Sequence, residues 1–261
     1  MNLLARLGRY FFAFSMAAFS VQYFMLLHHP ESLANVPPYT VGRSVSAFFV
    51  GLGLIIAAIS MASGIRAALW SRLLGAAFLL DFLIFHVARI YSNLASGNLR
   101  TRAFETLTIA GAAFVLGAIF SRKLSAPAGP VDATANFGRL LVAVSLVIFG
   151  VQHFMYHTFI ASLIPAWIPA RLFLAYFTGA AFLAAALSFA TGKLARLAGL
   201  LLALMFFIWV VALHAPLVAH SPHSANLWSS MFVAVTMCAV GLIVAESFSA
   251  TTQRAPRNHH E

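Results

Sequence analysis

Stretches of mostly apolar residues recur along the chain, separated by short breaks that contain Arg, Lys, Pro or Gly. A transmembrane helix needs roughly 20 such residues in a row. Only 8% of the residues are charged and 62% are hydrophobic, whereas an ordinary soluble domain carries about 25% charged residues. The sequence therefore predicts an all-α polytopic membrane protein. We expect about eight transmembrane helices, at residues 10–28, 42–62, 68–90, 103–121, 139–157, 171–190, 195–218 and 227–247.

The Lys and Arg residues are divided unevenly between the two ends of the predicted helices. One end holds Arg6, Arg9, Arg66, Arg72, Arg122, Lys123, Arg139, Lys193, Arg196, Arg254 and Arg257. The opposite end holds Arg43, Arg89, Arg100, Arg102 and Arg171. Positive residues are enriched in cytoplasmic loops, so both termini are predicted to face the cytoplasm. The net charge of +10 does not predict nucleic-acid binding, because these residues lie singly or in pairs and not in a patch.

The single cysteine and the N-terminal segment bear on two further questions, which are disulfide chemistry and the presence of a signal peptide. Cys238 is the single cysteine and lies inside an apolar stretch, so an intrachain disulfide and a CxxC motif are both excluded. Arg6 and Arg9 precede an apolar run, as in a signal peptide. A similar segment recurs in the middle of the chain, where a signal peptide could not act. The N-terminal segment is therefore predicted to belong to the fold.

The two halves of the chain carry matching polar residues in register. At a separation of 138 − 8 = 130 residues, the matches are Gly8-Arg9 with Gly138-Arg139 and Gln22 with Gln152. At a separation of 128, they include Arg43 with Arg171, Gly64 with Gly192, His86 with His214 and Asn98 with Asn226. This pattern predicts a duplicated four-helix unit with parallel repeats. The predicted parts are a first repeat at 8–121, a linker at 122–137, a second repeat at 138–248 and a cytoplasmic tail at 249–261.

Four histidines are candidates for binding a ligand. His153 and His157 are four residues apart, which places them on one face of the predicted helix. Neutral imidazole ligates metals and haem iron, so this pair is a candidate metal or haem site. The alternative is that both lie at the lipid headgroups or hydrogen-bond between helices. His86 and His214 either line a ligand cavity shared by the repeats or form inherited interhelical hydrogen bonds.

Other polar residues in the predicted spans are further candidates. Gln22 and Gln152 either bind a carbonyl-bearing ligand such as a quinone or hydrogen-bond another helix. Asp81 lies near the middle of the third span and is a candidate for proton handling, because an acid there must be protonated, paired or facing a cavity. The candidate ligand site also includes Arg43, Arg171 and Trp167. Trp167 alternatively serves as an interfacial anchor.

Three short motifs follow one another in the second half. They are Gly150-Val151-Gln152-His153-Phe154, Leu163-Ile164-Pro165-Ala166-Trp167-Ile168-Pro169-Ala170 and Tyr176-Phe177-Thr178-Gly179-Ala180. With these motifs the sequence resembles the DoxX family of bacterial inner-membrane proteins. The resemblance implies a four-span unit, here present twice, in the bacterial inner (plasma) membrane. It also implies an association with quinone-linked oxidoreduction or redox-stress complexes. Many relatives carry a Glu shortly after the third motif, whereas Ala181 and Phe182 follow it here.

Three functions are compatible with these features. The first is a quinone- or redox-linked membrane subunit with a site in the outer half of the bilayer, which would make the chain part of a membrane oxidoreductase with redox partner subunits. Quinone is the expected ligand, and haem or a metal is an alternative. The second is a non-catalytic anchor or assembly subunit. The third is a transporter of a small apolar or lipidic molecule, because Asp81 is nearly alone at the middle of the spans. The lipid bilayer is the predicted partner in all three, and the sequence does not determine the oligomeric state.

Overall fold

The computed structural model describes residues 3–28, 43–124 and 133–252, and all its regular elements are helical. The helices of the first half are α1 (Leu3–His28), α2 (Arg43–Ser63), α3 and α4 (Gly97–Leu124). Those of the second half are α5 (Ala133–Met155), the short α6 (His157–Leu163), α7 (Arg171–Thr191), α8 and α9 (Ala225–Thr252). The predicted all-α fold class is confirmed.

Two of these helices contain a π-helical turn. Helix α3 consists of an α-helical part at Ala67–Asp81, a π-helical turn at Phe82–His86 and a final α-helical part at Val87–Ser92. Helix α8 has the same composition, with parts at Ala195–Trp209, Val210–His214 and Ala215–His220. A π-helical turn is closed by hydrogen bonds between residues five apart, one residue more than in an α-helix, and such turns occur often at functional sites.

Seven helices in the described part of the chain are long and apolar enough to cross a membrane. They are Val45–Ser63, Ala67–Ser92, Gly97–Ser121, Ala133–Met155, Arg171–Thr191, Ala195–His220 and Ala225–Phe248. Their positions follow the predicted spans, but the break between the halves is shorter than the predicted linker at 122–137. Helix α4 continues to Leu124 and α5 already begins at Ala133. Pro127, Gly129 and Pro130 lie outside the described residues.

The bounds of three helices in the first half recur in the second half at a constant separation of 128 residues. Helix α2 begins at residue 43 and α7 at 43 + 128 = 171, and the bounds of α3 and α4 recur in α8 and α9 at the same separation. The turns after α2 and α7 also match. Gly64 and Gly192 follow these helices with φ of 87° and 74°, a conformation that glycine adopts without the strain of a Cβ atom.

The helices form two adjoining groups that share a central pair. In the first group, α1 packs on α2, α2 on α3, and α3 on α4. In the second group, α5 packs on α7, α7 on α8, and α8 on α9. Helices α4 and α9 contact each other at the centre, and each also packs on the first helix of the other half, α4 on α5 and α9 on α1.

The core follows this arrangement. Among the seven long helices, α4 has the most buried apolar window, whereas α3 and α8 have the least buried ones. Small residues allow the central contacts, since Gly111 of α4 faces Gly138 of α5 and Gly199 of α8 faces Gly241 of α9. Helices α3 and α8 therefore present most of their surface outward, and any polar group in the middle of either one is conspicuous.

Candidate functional site

The π-helical turn of α3 brings Asp81 and His86 together. His86 Nε2 lies 3.3 Å from Asp81 Oδ2. The two residues are five apart, and in a regular α-helix at 3.6 residues per turn they would point in directions about 140° apart. A π-helical turn bonds residues five apart and so places them on one face. The pair therefore depends on the local winding of α3.

Thr106 of α4 completes this cluster. Its Oγ1 lies 3.2 Å from His86 Nε2 and donates a hydrogen bond to the Arg102 carbonyl at 3.1 Å. Because the hydroxyl proton is used in this way, the Thr106 oxygen accepts from His86. The Thr106 contact thus assigns a hydrogen to Nε2 of the imidazole, and the Asp81 oxygen lies where it can accept this hydrogen as well. We refer to Asp81, His86 and Thr106 as the acid–histidine cluster.

The acid–histidine cluster is open on the Asp81 side. The Asp81 side chain is 44% exposed, whereas that of His86 is 18% exposed. The carboxyl lies on α3, the long helix with the least buried apolar window. A molecule that reaches the outer surface of α3 can therefore contact the carboxyl directly, while the imidazole behind it is held in place by α4.

The equivalent positions of the second half have different chemistry. The residues 128 positions after Asp81, His86 and Thr106 are Trp209, His214 and Ala234. The acid and the hydroxyl are thus both absent, and His214 makes no hydrogen bond within the described part of the chain. Trp209 instead stacks on His153, with ring centroids 6.4 Å apart and an interplanar angle of 24°.

His153 and His157 do not share one uninterrupted helix. Helix α5 ends at Met155, and Tyr156 has φ of −114° before α6 begins at His157. This break corrects the prediction of one span over 139–157, and the face-sharing argument for the two histidines fails with it. Helix α6 lies between the predicted spans at 139–157 and 171–190. It could not be inferred from hydropathy, because the apolar run continues through it.

Each of these two histidines is oriented by the backbone. His153 Nδ1 lies 2.8 Å from the Phe149 carbonyl oxygen and His157 Nδ1 lies 3.0 Å from that of Phe154. A carbonyl oxygen only accepts, so the hydrogen is on Nδ1 and the lone pair is on Nε2 in both neutral rings. Either Nε2 is thereby suited to accept a hydrogen bond or ligate a metal. No group of three or more His, Cys, Asp or Glu side chains in the described ranges is placed to hold a metal ion.

Both predicted glutamines hydrogen-bond across the boundary between the halves. Gln152 Nε2 of α5 donates to the Gly97 carbonyl of α4 at 2.9 Å, and its Oε1 accepts from Thr101 at 3.3 Å. Gln22 of α1 exchanges hydrogen bonds with Ser229 Oγ of α9 at 3.0 and 3.2 Å. The two amides therefore form interhelical hydrogen bonds, which was one of the two predicted alternatives. Neither amide belongs to the acid–histidine cluster.

The remaining predicted residues lie near the ends of helices. Arg171 begins α7 with an exposed side chain, and Trp167 is exposed in the segment before it. Arg43 begins α2, but its side chain lies outside the described part of the chain. None of these three has a described contact with the acid–histidine cluster.

Thr106 was not among the residues singled out from the sequence. Helical periodicity cannot relate Thr106 to His86, because the two residues lie on different helices. The Asp81–His86 contact was missed for a related reason, since a spacing of five residues does not define a face of an α-helix. A comparison of the halves could have drawn attention to Thr106, because Ala234 stands at the matching position.

Comparison with models of known protein families gave no match, and neither the curated proteins nor the solved structures gave one. The function of the cluster is therefore inferred from its own residues.

Proposed function

We propose that this chain is a DoxX-like integral membrane protein of the bacterial inner membrane, with eight transmembrane helices formed by two parallel four-helix repeats. The matching bounds of α2, α3 and α4 with α7, α8 and α9 support the duplication. Helix α1 supplies the eighth span. It has 26 residues, packs on α2 and α9, and at 1.5 Å per residue is long enough to cross a hydrocarbon core of about 30 Å.

The uneven distribution of Lys and Arg supports an orientation with both termini in the cytoplasm. Single cysteines in a Cys238→Ala background test it in intact cells. We expect Lys193→Cys to react only after the inner membrane is permeabilised and Trp167→Cys to react from the periplasm. Both side chains are exposed and lie at opposite ends of α7. The reverse pattern would contradict the proposed orientation.

We further propose that the protein binds a quinone at the acid–histidine cluster and handles protons there as the membrane subunit of a redox system. The observation that carries this proposal is the Asp81–His86–Thr106 contact on the outward-facing helix α3. A quinone carbonyl oxygen needs a hydrogen-bond donor, and it can replace one of the two oxygens, of Asp81 and Thr106, that share the His86 Nε2–H group. The carboxyl of Asp81 lies within 3.3 Å of the same nitrogen and can return a proton to it.

The location on α3 suits a ligand that arrives through the lipid. An ionisable group inside a span is costly unless it is paired or used, and Asp81 is both paired and accessible. Reduction of a quinone to a quinol consumes two electrons and two protons. In this proposal the redox partner subunits supply the electrons, and Asp81 and His86 pass protons to the carbonyl oxygens.

Binding of a short-chain benzoquinone to the purified protein tests this function. A hydrogen bond to a charged or polarised group contributes about 1.5–3 kcal/mol, so we expect His86→Phe to weaken binding at least tenfold. We expect Thr106→Val, which keeps the volume of the side chain, to weaken it by a smaller factor. Asp81→Asn should retain most of the affinity but abolish proton uptake on reduction, measured with a pH indicator in lightly buffered vesicles.

His220→Ala is the matched control, because His220 is an exposed histidine at the end of α8 that belongs to no described cluster. Its affinity for the quinone should equal that of the unmodified protein. Equal affinities for the His86→Phe and His220→Ala variants would refute quinone binding at the acid–histidine cluster.

A non-catalytic anchor subunit is the second candidate, and the outward surfaces of α3 and α8 favour it. Such a protein would copurify with partner subunits in mild detergent. The Asp81→Asn variant would then retain the whole activity of the assembled complex, whereas the quinone proposal requires that this activity fall.

A further inference from the structure

The second half contains a group of aromatic and histidine side chains that the proposed quinone site does not use. We define the histidine–indole pocket by His153 of α5, Phe182 of α7, and Trp209 and His214 of α8. His153 packs edge-on against Phe182 at 5.1 Å and stacks on Trp209 at 6.4 Å. Phe206 packs against both Phe182 and Trp209, at 5.8 and 5.7 Å, and closes the apolar side.

The π-helical turn of α8 places His214 on the same side as Trp209. These two residues are five apart, as are Asp81 and His86, which are in contact across the equivalent turn of α3. Trp209 in turn lies against His153. Trp209 thus faces α5, and the π-helical turn that ends at His214 packs on α9.

His153 presents a hydrogen-bond acceptor into the histidine–indole pocket. The Nδ1–H group of His153 is used by the Phe149 carbonyl, which leaves the Nε2 lone pair free. His214 makes no hydrogen bond within the described residues. Among the described residues, the fully enclosed side-chain nitrogen and oxygen atoms without a partner are Arg9 Nε and Ser71 Oγ, and no atom of either histidine is one of them. His153 Nε2 is therefore not sealed off from a ligand.

The histidine–indole pocket lacks the carboxyl and hydroxyl groups of the first-half cluster. Trp209 and Ala234 replace the acid and the hydroxyl, and Val233 stands where the first half has Glu105. An aromatic wall with a free imidazole acceptor, His153 Nε2, matches an uncharged planar ring that donates a hydrogen bond. A quinone cannot pair with His153 Nε2, because its two carbonyl oxygens only accept.

We infer that the histidine–indole pocket is a second, separate binding site that takes a hydroxylated aromatic ring of the hydroquinone class. Its ring stacks beside Trp209, and its hydroxyl groups donate to His153 Nε2 and His214. The choice of a hydroquinone rests on the proposed function, because the quinone bound in the first half would become this ligand on reduction. The pocket itself shares no side chain with the acid–histidine cluster.

Titration of the purified full-length protein with a short-chain benzoquinol under anaerobic, reducing conditions tests this inference. The signal is the tryptophan fluorescence that disappears in a Trp209→Phe variant, since a ring bound beside the indole quenches it. We expect saturable quenching by the benzoquinol. The dimethyl ether of the same benzoquinol has the same ring but no hydroxyl donors, and it should bind at least tenfold more weakly.

His153→Asn is the informative variant. Its amide N–H group can still donate to the Phe149 carbonyl and preserve the local structure, but it has no atom at the position of Nε2. We expect it to weaken benzoquinol binding at least tenfold, and His214→Phe to do the same, with unchanged melting temperatures. His220→Ala should bind normally.

The outcomes separate this inference from the proposed function. Loss of benzoquinol binding in His153→Asn together with unchanged benzoquinone binding in His86→Phe would support the pocket and refute the first-half site. Equal binding of the benzoquinol and its dimethyl ether, or normal benzoquinol binding by His153→Asn, would overturn the inference. Loss of benzoquinol binding in His86→Phe alone would place the benzoquinol at the acid–histidine cluster and would overturn it as well.

Discussion

Replacing Gly138 with alanine tests the packing between the halves at its tightest point. A Cβ atom at Gly138 would lie 2.9 Å from Val115 Cγ2 and 3.0 Å from the Val115 backbone nitrogen, and closer still to the Gly111 carbonyl oxygen. The reciprocal contact is equally close, since a Cβ atom at Gly111 would lie 2.6 Å from the Gly138 carbonyl oxygen. Two of the three obstructing atoms belong to the backbone of α4, so no side-chain rotation can make room.

The expected cost follows from these contacts. Adding a methyl group to a close-packed contact destabilises a protein by about 1–3 kcal/mol. Alanine in place of glycine within a helix stabilises the folded state by about 0.5–1 kcal/mol, because the unfolded chain has less backbone entropy to lose. We therefore expect Gly138→Ala to lower the free energy of unfolding by about 1 kcal/mol or more. Helices α4 and α5 must separate to relieve the contact.

Gly53→Ala is the matched control for the entropy contribution. Gly53 also lies within a long helix, α2, but a Cβ atom there would meet nothing within 4 Å. This variant should therefore be more stable than the unmodified protein by about 0.5–1 kcal/mol. The two alanines are thus predicted to shift stability in opposite directions.

The assay is unfolding by sodium dodecyl sulfate in mixed micelles, followed by circular dichroism, with thermal melting as a second measure. A Gly138→Ala protein as stable as the Gly53→Ala protein would refute the close approach of α4 and α5.

Three further predictions concern buried groups. Gln152→Leu removes the interhelical hydrogen bond to the Gly97 carbonyl, and since such bonds contribute about 0.6 kcal/mol on average in membranes, we expect a loss of about 1 kcal/mol in the same unfolding assay. Arg139→Lys should destabilise the protein by about 1–3 kcal/mol, because an ammonium group cannot reproduce the two hydrogen bonds from the Arg139 guanidinium to Ser247 at 2.9 and 2.7 Å. Cys238 is buried, so we expect maleimide to label it only after denaturation, as followed by intact mass, and rapid labelling of the native protein would contradict its position in the core.

Much of the helix layout could be predicted from the sequence because hydropathy marks each long helix directly. The boundaries of α2 and α7 follow from Gly64 and Gly192, which stop both helices with a positive φ. The register between the halves was also visible, because polar residues are rare enough in this chain for their matches to be informative. His86 and His214 were paired on this basis, and each ends a π-helical turn.

The acid–histidine cluster could not be predicted, for a reason that lies in the backbone. Sequence patterns are interpreted with the period of the α-helix, and at that period Asp81 and His86 face different directions. The contact exists because α3 changes its winding between them. Similarly, the break at Tyr156 follows no Pro or Gly, so the sequence predicted one helix where α5 and α6 are separate.

The packing of α1 against α9 and of α4 against α5 has a consequence for biosynthesis. Of the described helices, α1 is synthesised first and α9 last, yet the two lie side by side. Gly8 of α1, where a Cβ atom would lie 2.9 Å from Leu242 Cβ, therefore has no partner until α9 has entered the membrane. Until then, lipid or an insertion chaperone must cover that side of α1. A nascent chain that stalls before α9 would leave this side of α1 without the protein surface that covers it in the complete bundle.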